Sequence, residues 1–276
     1  MLNDRLTTVH HLGLVFDVTD GGPADGTPVV LLHGFPADRT SWDPISERLH
    51  AAGMRTYAPD QRGYSRGATP PGTAAYRLEH LVGDVIALID ATGHEKVHLV
   101  GHDWGGAISW LTAGNHPHRV ASVTVLSTPH PAALSRALKT PGQLRRSWYM
   151  ALFQVPALPE RVVAAGFRSL MVGTGLPLED AERYAARLAT PAALRGPISW
   201  YRATRSSHVR ARRVTVPATY VWGSRDAALG RRAAELTRDH VTGPYEFVEL
   251  DATHWLPETR PDECAAAIVR RVESTG

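Results

Sequence analysis

Residues 97–112 read VHLVGHDWGGAISWLT: an apolar run, a turn holding Gly101, Gly105 and Gly106, then apolar residues at helical spacing. A strand, a tight turn and a helix fit that order. The succession recurs along the chain, which constrains the fold more than any other feature. HHLGLVFDV reads as a strand near the amino end, and PVVLLH (28–33) as a strand buried on both faces. SWDPISERLHAAG then has a helical pattern, MRTYAPD (54–60) reads as a strand, RLEHLVGDVIALIDATG as a helix and KVHLVGH as a strand. A helix over 107–116 and the strand VASVTVL follow. Strands alternating with helices imply a mainly parallel α/β sheet with right-handed crossovers.

The alternation stops at about Pro129 and resumes with ATYVWG (218–223), YEFVEL (245–250) and a last helix. Between them the sequence is helix-like, with prolines and aromatics. The expected organisation is a core of residues 1–128 and 214–276, with 129–213 as a helical cap over the carboxyl edge of the strands. That edge is where open α/β sheets bind ligands.

Composition narrows the function. The chain of 276 residues has 43% hydrophobic and 21% charged residues, a formal charge of +3 and a pI near 9.2. Its arginines are scattered among alanines with no dense basic run, which argues against a nucleic-acid footprint. The single cysteine, Cys264, sits in the amphipathic run DECAAAIVRRVE and reads as a packing residue. No segment approaches the roughly 18 apolar residues of a membrane span, so stable membrane insertion is not expected. The amino terminus shows no basic stretch followed by an apolar core, and a cytoplasmic location is the expectation.

Four features follow expected strands at the same edge: HGFP (33–36), Asp103 in GHDWGG, Asp226 in GSRDAALG (223–230) and His254 in DATHW (251–255). Alone, each aspartate reads as a cap or turn residue and His254 as a core histidine. Together they run nucleophile, acid, histidine, the order of the α/β-hydrolase triad. The glycines suit a strained elbow around Asp103. The backbone N–H of Trp104, at a helix start, and that of Phe35 can then supply an oxyanion hole. His33 and His102 read as structural neighbours of these turns.

A carboxylate at the elbow is ionised at neutral pH and needs no base to attack. It suits displacement at a saturated carbon, giving an ester of the enzyme. The histidine then activates water against that ester, and Asp226 orients the imidazole.

Through HGFP, DQRGYSRG (60–67), GHDWGG and the late Asp226 and His254, the chain resembles the epoxide hydrolase family of α/β-hydrolases over nearly its whole length. The resemblance implies an eight-stranded, mostly parallel sheet with the cap inserted after the sixth strand, and no cofactor or metal. SWYMALFQ (147–154) and RGPISWYRA (195–203) resemble that family's two tyrosine motifs, implying Tyr149 and Tyr201 as donors to the epoxide oxygen. Phenols suit that task, because a ring-opened alkoxide needs a proton. Phe35, Trp104, Phe153 and Gln154 are the expected substrate-binding residues, and the expected substrate is a small, largely apolar epoxide. Haloalkane dehalogenases share the aspartate nucleophile, but Phe35 stands where they often carry a halide-holding asparagine. Trp104 stands where fluoroacetate dehalogenases carry an arginine. A ligand-binding α/β-hydrolase without turnover is the reading from another class, and a homodimer stays open.

Overall fold

The first apolar run folds into two strands rather than one. In the computed structural model, which describes residues 5–275, β1 (Thr8–His11) turns back antiparallel as β2 (Leu14–Gly21). The two turn residues, Leu12 and Gly13, have φ of 50° and 75°. Positive φ at both central residues is the geometry of a tight hairpin, and a leucine there gives no sequence signal of it.

The remaining strands follow the expected runs: β3 (Thr27–Leu32), β4 (Met54–Pro59), β5 (Val97–His102), β6 (Val120–Leu126), β7 (Ala218–Gly223) and β8 (Tyr245–Leu250). They form one eight-stranded sheet in the order β1-β2-β4-β3-β5-β6-β7-β8. Only β1–β2 and β2–β4 are antiparallel. All six residues of β5 and of β7 are buried, as parallel strands covered on both faces must be. From β3 the chain builds outward through β4, then returns to the other side of β3 as β5. The strand order reverses there, and a crevice opens at the carboxyl ends of β3 and β5.

On one face lie α1 (Asp43–Ala51) and α12 (Pro261–Glu273), preceded by the short α11 (Leu256–Thr259). Ile45, Leu49, Cys264 and Ile268 pack there with Val29 and Leu31 of β3. Cys264 is fully buried, and burial pushes its thiol pKa up. The opposite face holds α2 (Leu78–Thr92) and α3 (Trp104–Asn115), with Val85, Ile89, Ile108 and Leu111 in the larger core. α3 begins directly after Asp103, with Trp104 as its first residue.

Six helices lie between β6 and β7: α4 (Pro131–Ala137), α5 (Pro141–Arg146), α6 (Trp148–Leu152), α7 (Leu158–Gly173), α8 (Leu178–Leu188) and α9 (Pro191–Ala203). α4 packs beside α10 (Arg231–Leu236) through Ala133, Ala137, Ala233 and Leu236. Backbone meets backbone where α9 crosses the loop after β4: a Cβ on Gly196 would stand 2.7 Å from the Cα of Gly63. Close by, Trp200 Nε1 donates to the Arg62 carbonyl at 2.8 Å. α8 is tied down by charge. Arg187 reaches the buried Asp38 at 2.6 Å and Asp60 at 2.8 Å, and Arg39 also binds Asp60.

α8 makes one further contact whose strength depends on pH. The Tyr184 hydroxyl donates to Glu258 Oε1 at 2.7 Å, while Glu258 Oε2 is buried without a partner. Burial raises the Glu258 pKa from 4.5 to about 7, against the opposing hydrogen bond from Tyr184 and with the charges of Asp180 and Arg183 close by. The folded pKa lies above the unfolded one, so the contribution is present below about 4.5 and lost as pH rises through about 7. Wild-type thermal stability should therefore fall between about pH 5 and 8 by up to roughly 3 kcal/mol from this group. Glu258→Gln should flatten that part of the slope. Melting curves that keep the same pH slope in both proteins would rule it out.

Candidate active site

Asp103 sits in the one-residue turn between β5 and α3. Its φ of 49° and ψ of −119° fall outside the regions that non-glycine residues ordinarily occupy, so the surrounding packing must hold it. The glycines explain how. A Cβ on Gly101 would lie 2.3 Å from the Gly105 carbonyl oxygen, and one on Gly105 would lie 2.0 Å from that of Leu32. Gly34 is equally confined: its Cβ would stand 2.3 Å from the Cβ of Asp103. Side chains at these positions would push the elbow away from β3.

The bend brings Asp103 to His254, which follows β8, and to Asp226, which follows β7. His254 Nδ1 donates to Asp226 Oδ2 at 2.7 Å, and His254 Nε2 lies 3.5 Å from Asp103 Oδ2. Asp226 is itself fixed: its Oδ1 accepts the backbone N–H groups of Ala228 at 2.8 Å and Leu229 at 2.9 Å. Burial alone would lower the His254 pKa, but the Asp226 charge, with Asp103, holds it well above its ordinary value. Burial likewise opposes ionisation of Asp103, yet His254, His102 and the Phe35 N–H keep its pKa below the usual carboxylate value.

The Phe35 N–H donates to Asp103 Oδ1 at 2.8 Å, just before a cis peptide bond to Pro36. Trp104 is the first residue of α3, where a backbone N–H has no partner within the helix. The other two histidines are tied into the framework. His102 Nε2 donates to the His254 carbonyl at 2.9 Å, which Ser127 Oγ also reaches at 2.6 Å. His33 receives the Gln61 N–H on Nε2 at 3.1 Å and donates from Nδ1 to the Gly34 carbonyl at 3.0 Å. Burial takes the His102 pKa down to about 4.

Asp103 and His254 open onto a cavity of about 280 Å³ that Tyr149 of α6 and Tyr201 of α9 also line. The two phenol rings lie 6.1 Å apart, and Tyr201 meets the Phe35 ring edge-on at 5.7 Å. Burial, and then the Asp103 charge, raise both phenol pKa values, so both hydroxyls stay protonated. Phe153 lines the wall, edge-on to Tyr201 at 4.8 Å.

Two expected substrate contacts lie elsewhere. Gln154 spends its amide N–H groups on the carbonyls of Met150 at 3.2 Å and Tyr201 at 3.1 Å, and faces a separate outer groove. The Trp104 ring backs Tyr201 at 4.9 Å and Trp200 at 5.7 Å, and does not line the cavity. Sequence reasoning missed Trp148, Val163, Met171 and Trp255, which line the cavity. On an amphipathic helix such as α7, residues facing a cavity read like residues facing a core.

It also missed a clamp from α5 onto the loop that carries Asp226. The buried Gln143 donates to the Ala228 carbonyl at 2.7 Å and accepts the Gly230 N–H at 2.9 Å. Arg146 donates to the carbonyls of Asp226 at 2.8 Å and Ala227 at 3.2 Å. Among the described residues no group of three or more His, Cys, Asp or Glu is placed to hold a metal ion, and no helix is long and apolar enough to cross a membrane.

Residues 27–172 match the family model described as alpha/beta hydrolase fold. The AB hydrolase superfamily protein YfhM of Bacillus subtilis is 34% identical, covering 90% of this chain and 91% of its own. Epoxide hydrolase 4 of Mus musculus is also 34% identical, covering 91% of this chain and 74% of its own. A solved structure described among novel epoxide hydrolases from metagenomes of hot environments superimposes with a TM-score of 0.84 at 29% identity, over 96% of this chain and 97% of its own.

Proposed function

The chain belongs to the epoxide hydrolase family of α/β hydrolases, and from that premise we propose that it converts an epoxide and water to a vicinal diol through an alkyl ester on Asp103. One observation carries the reading: the Asp103 carboxylate, the His254 imidazole and two protonated phenols line one cavity. A displacement at carbon that leaves an alkoxide needs these groups together.

Asp103 is the nucleophile. Its Oδ1 is held by the Phe35 N–H, so Oδ2 is the oxygen free to attack a ring carbon. As the new C–O bond forms, the ring C–O bond breaks, and the alkoxide takes a proton from Tyr149 or Tyr201. Ester formation removes the negative charge of Asp103. That charge is one of the causes holding the His254 pKa up. The imidazole then gives up its proton, which restores the tyrosine left as a phenolate by ring opening, and it can accept a new one from water. The hydroxide adds to the ester carbonyl, whose Oδ1 oxyanion meets the Phe35 and Trp104 N–H groups. Collapse breaks the Cγ–Oδ2 bond, so Oδ2 leaves with the substrate and takes the proton from His254. The new carboxylic acid of Asp103 then ionises, its proton returns to His254, and the diol leaves. Asp226 keeps the imidazole oriented and balances its charge.

Residues 129–213 form the lid on this reading, and the cavity fits a small, largely apolar epoxide. Phe153, Trp148, Met171 and Trp255 would contact it. The phenols favour an epoxide over a haloalkane, since a departing halide takes no proton.

The test is diol formation from a styrene-oxide-type epoxide by the purified protein. Tyr149→Phe and Tyr201→Phe should each lower kcat by about 10–100-fold, and the double variant by about 10³-fold or more. No diol across a broad epoxide panel, or halide release in its place, would overturn the reading.

A further inference from the structure

Exposed apolar side chains are concentrated on one part of this protein. Of the ten large ones among the described residues, eight lie between residues 144 and 178. α7 shows the pattern best. Leu158, Arg161, Val162, Ala165, Arg168 and Val172 are all exposed, at the spacing of one helix face, with a bend at Gly166 between its halves. Trp148 of α6 is 65% exposed and Leu144 of α5 is 62% exposed.

Along α5 to α7 the exposed charges are of one sign, whereas Glu179 and Glu182 of α8, next to Leu178, are exposed acids. Between 144 and 173 the exposed charged residues are Arg145, Arg146, Arg161 and Arg168. The one acid in that span, Glu160, is buried and bound to Arg202 at 2.6 Å. An ordinary solvated helix carries mixed charges and few large apolar groups, and α7 has neither property. The face also runs into the catalytic cavity, because Trp148, Val162 and Leu170 are both exposed and cavity-lining.

We propose that α6 and α7 seat this enzyme on an anionic phospholipid surface, so that an apolar epoxide dissolved in the lipid enters the cavity without crossing water. The arginines supply attraction to the headgroups and the apolar residues enter the boundary beneath them. A second copy of the chain fits less well. A twofold dimer would set the same arginine-bearing patch against itself. The choice of an epoxide as cargo rests on the function proposed above, but the seating does not.

The experiment is flotation of the full chain with phosphatidylglycerol–phosphatidylcholine vesicles, against pure phosphatidylcholine, at low and high salt. Binding should require the anionic lipid and weaken with salt. The double variants Arg161→Glu/Arg168→Glu and Leu158→Glu/Val172→Glu should each lower the partition coefficient by at least about tenfold. None of these four residues lines the cavity, so turnover of a water-soluble epoxide should stay at the wild-type level, while kcat/KM on a vesicle-dissolved epoxide falls. Unchanged melting temperatures would show that the variants fold.

Absence of flotation on anionic vesicles, or flotation that both variants leave intact, would overturn the proposal. A dimer in light scattering that the same variants dissolve would assign the face to a second copy and overturn it as well. Vesicle binding without any diol would instead refute the epoxide reading and leave the seating in place.

Discussion

Asp103→Ala should lower diol formation by at least about 10⁴-fold, the scale of losing a nucleophile that acts with its partners as a unit. The fold should survive. The substitution removes a side chain already in contact with solvent-accessible cavity space, and the elbow is held by Gly34, Gly101 and Gly105, which stay in place. The measurement is steady-state turnover, with circular dichroism as the check on folding. A complementary reading comes from the wild-type enzyme in oxygen-18 water. With enzyme in excess, the diol should carry ordinary oxygen donated by Asp103, and label should enter only in later turnovers. Substantial turnover by the alanine variant, or label in the first diol, would mean that water attacks the epoxide directly.

His254→Gln should divide the reaction in two. Attack by Asp103 does not require the imidazole, so the ester still forms. Its hydrolysis does require the base, and turnover should fall by about 10³-fold or more. Intact-protein mass spectrometry under a reactive epoxide should then show the chain heavier by one substrate. An unmodified mass at saturating substrate would show that His254 also serves the first step. Glutamine keeps a polar group beside Asp226, which limits the cost of leaving that buried carboxylate without its partner.

Much of this fold is legible in the sequence because its central strands are parallel and covered on both sides. Runs such as VVLL of β3 are continuous and apolar, and all of β5 is buried even though it carries His98 and His102. The hairpin of β1 and β2 is not legible, since Leu12 occupies a positive-φ position without any turn signal. α4 to α6 are short, and their boundaries depend on tertiary contacts more than on periodicity. At the site, Asp103, Asp226 and His254 stand out because each follows a strand at one edge. Which way Gln154 and Trp104 turn is another matter. Gln154 is drawn to two carbonyls in its own neighbourhood, and Trp104 is drawn behind Tyr201. Neither preference is written in adjacent residues. The contact of Gln143 with Gly230 joins positions 87 residues apart, which no local pattern encodes.

The mounting of the two phenols carries a last consequence. Tyr201 rides on α9, which rests backbone on backbone against the loop after β4 through Gly196 and Gly63. Tyr149 follows α5, whose Gln143 and Arg146 grip the loop after β7. The gap between the hydroxyls is thus spanned like a bridge from two separate piers, both founded on the sheet. The cavity-facing residues of α7 can change in size, admitting substrates of different bulk, while the two piers keep their spacing. Conversely, a change far from the cavity that tilts either loop would move one phenol relative to the other and detune the site without touching a residue that lines it.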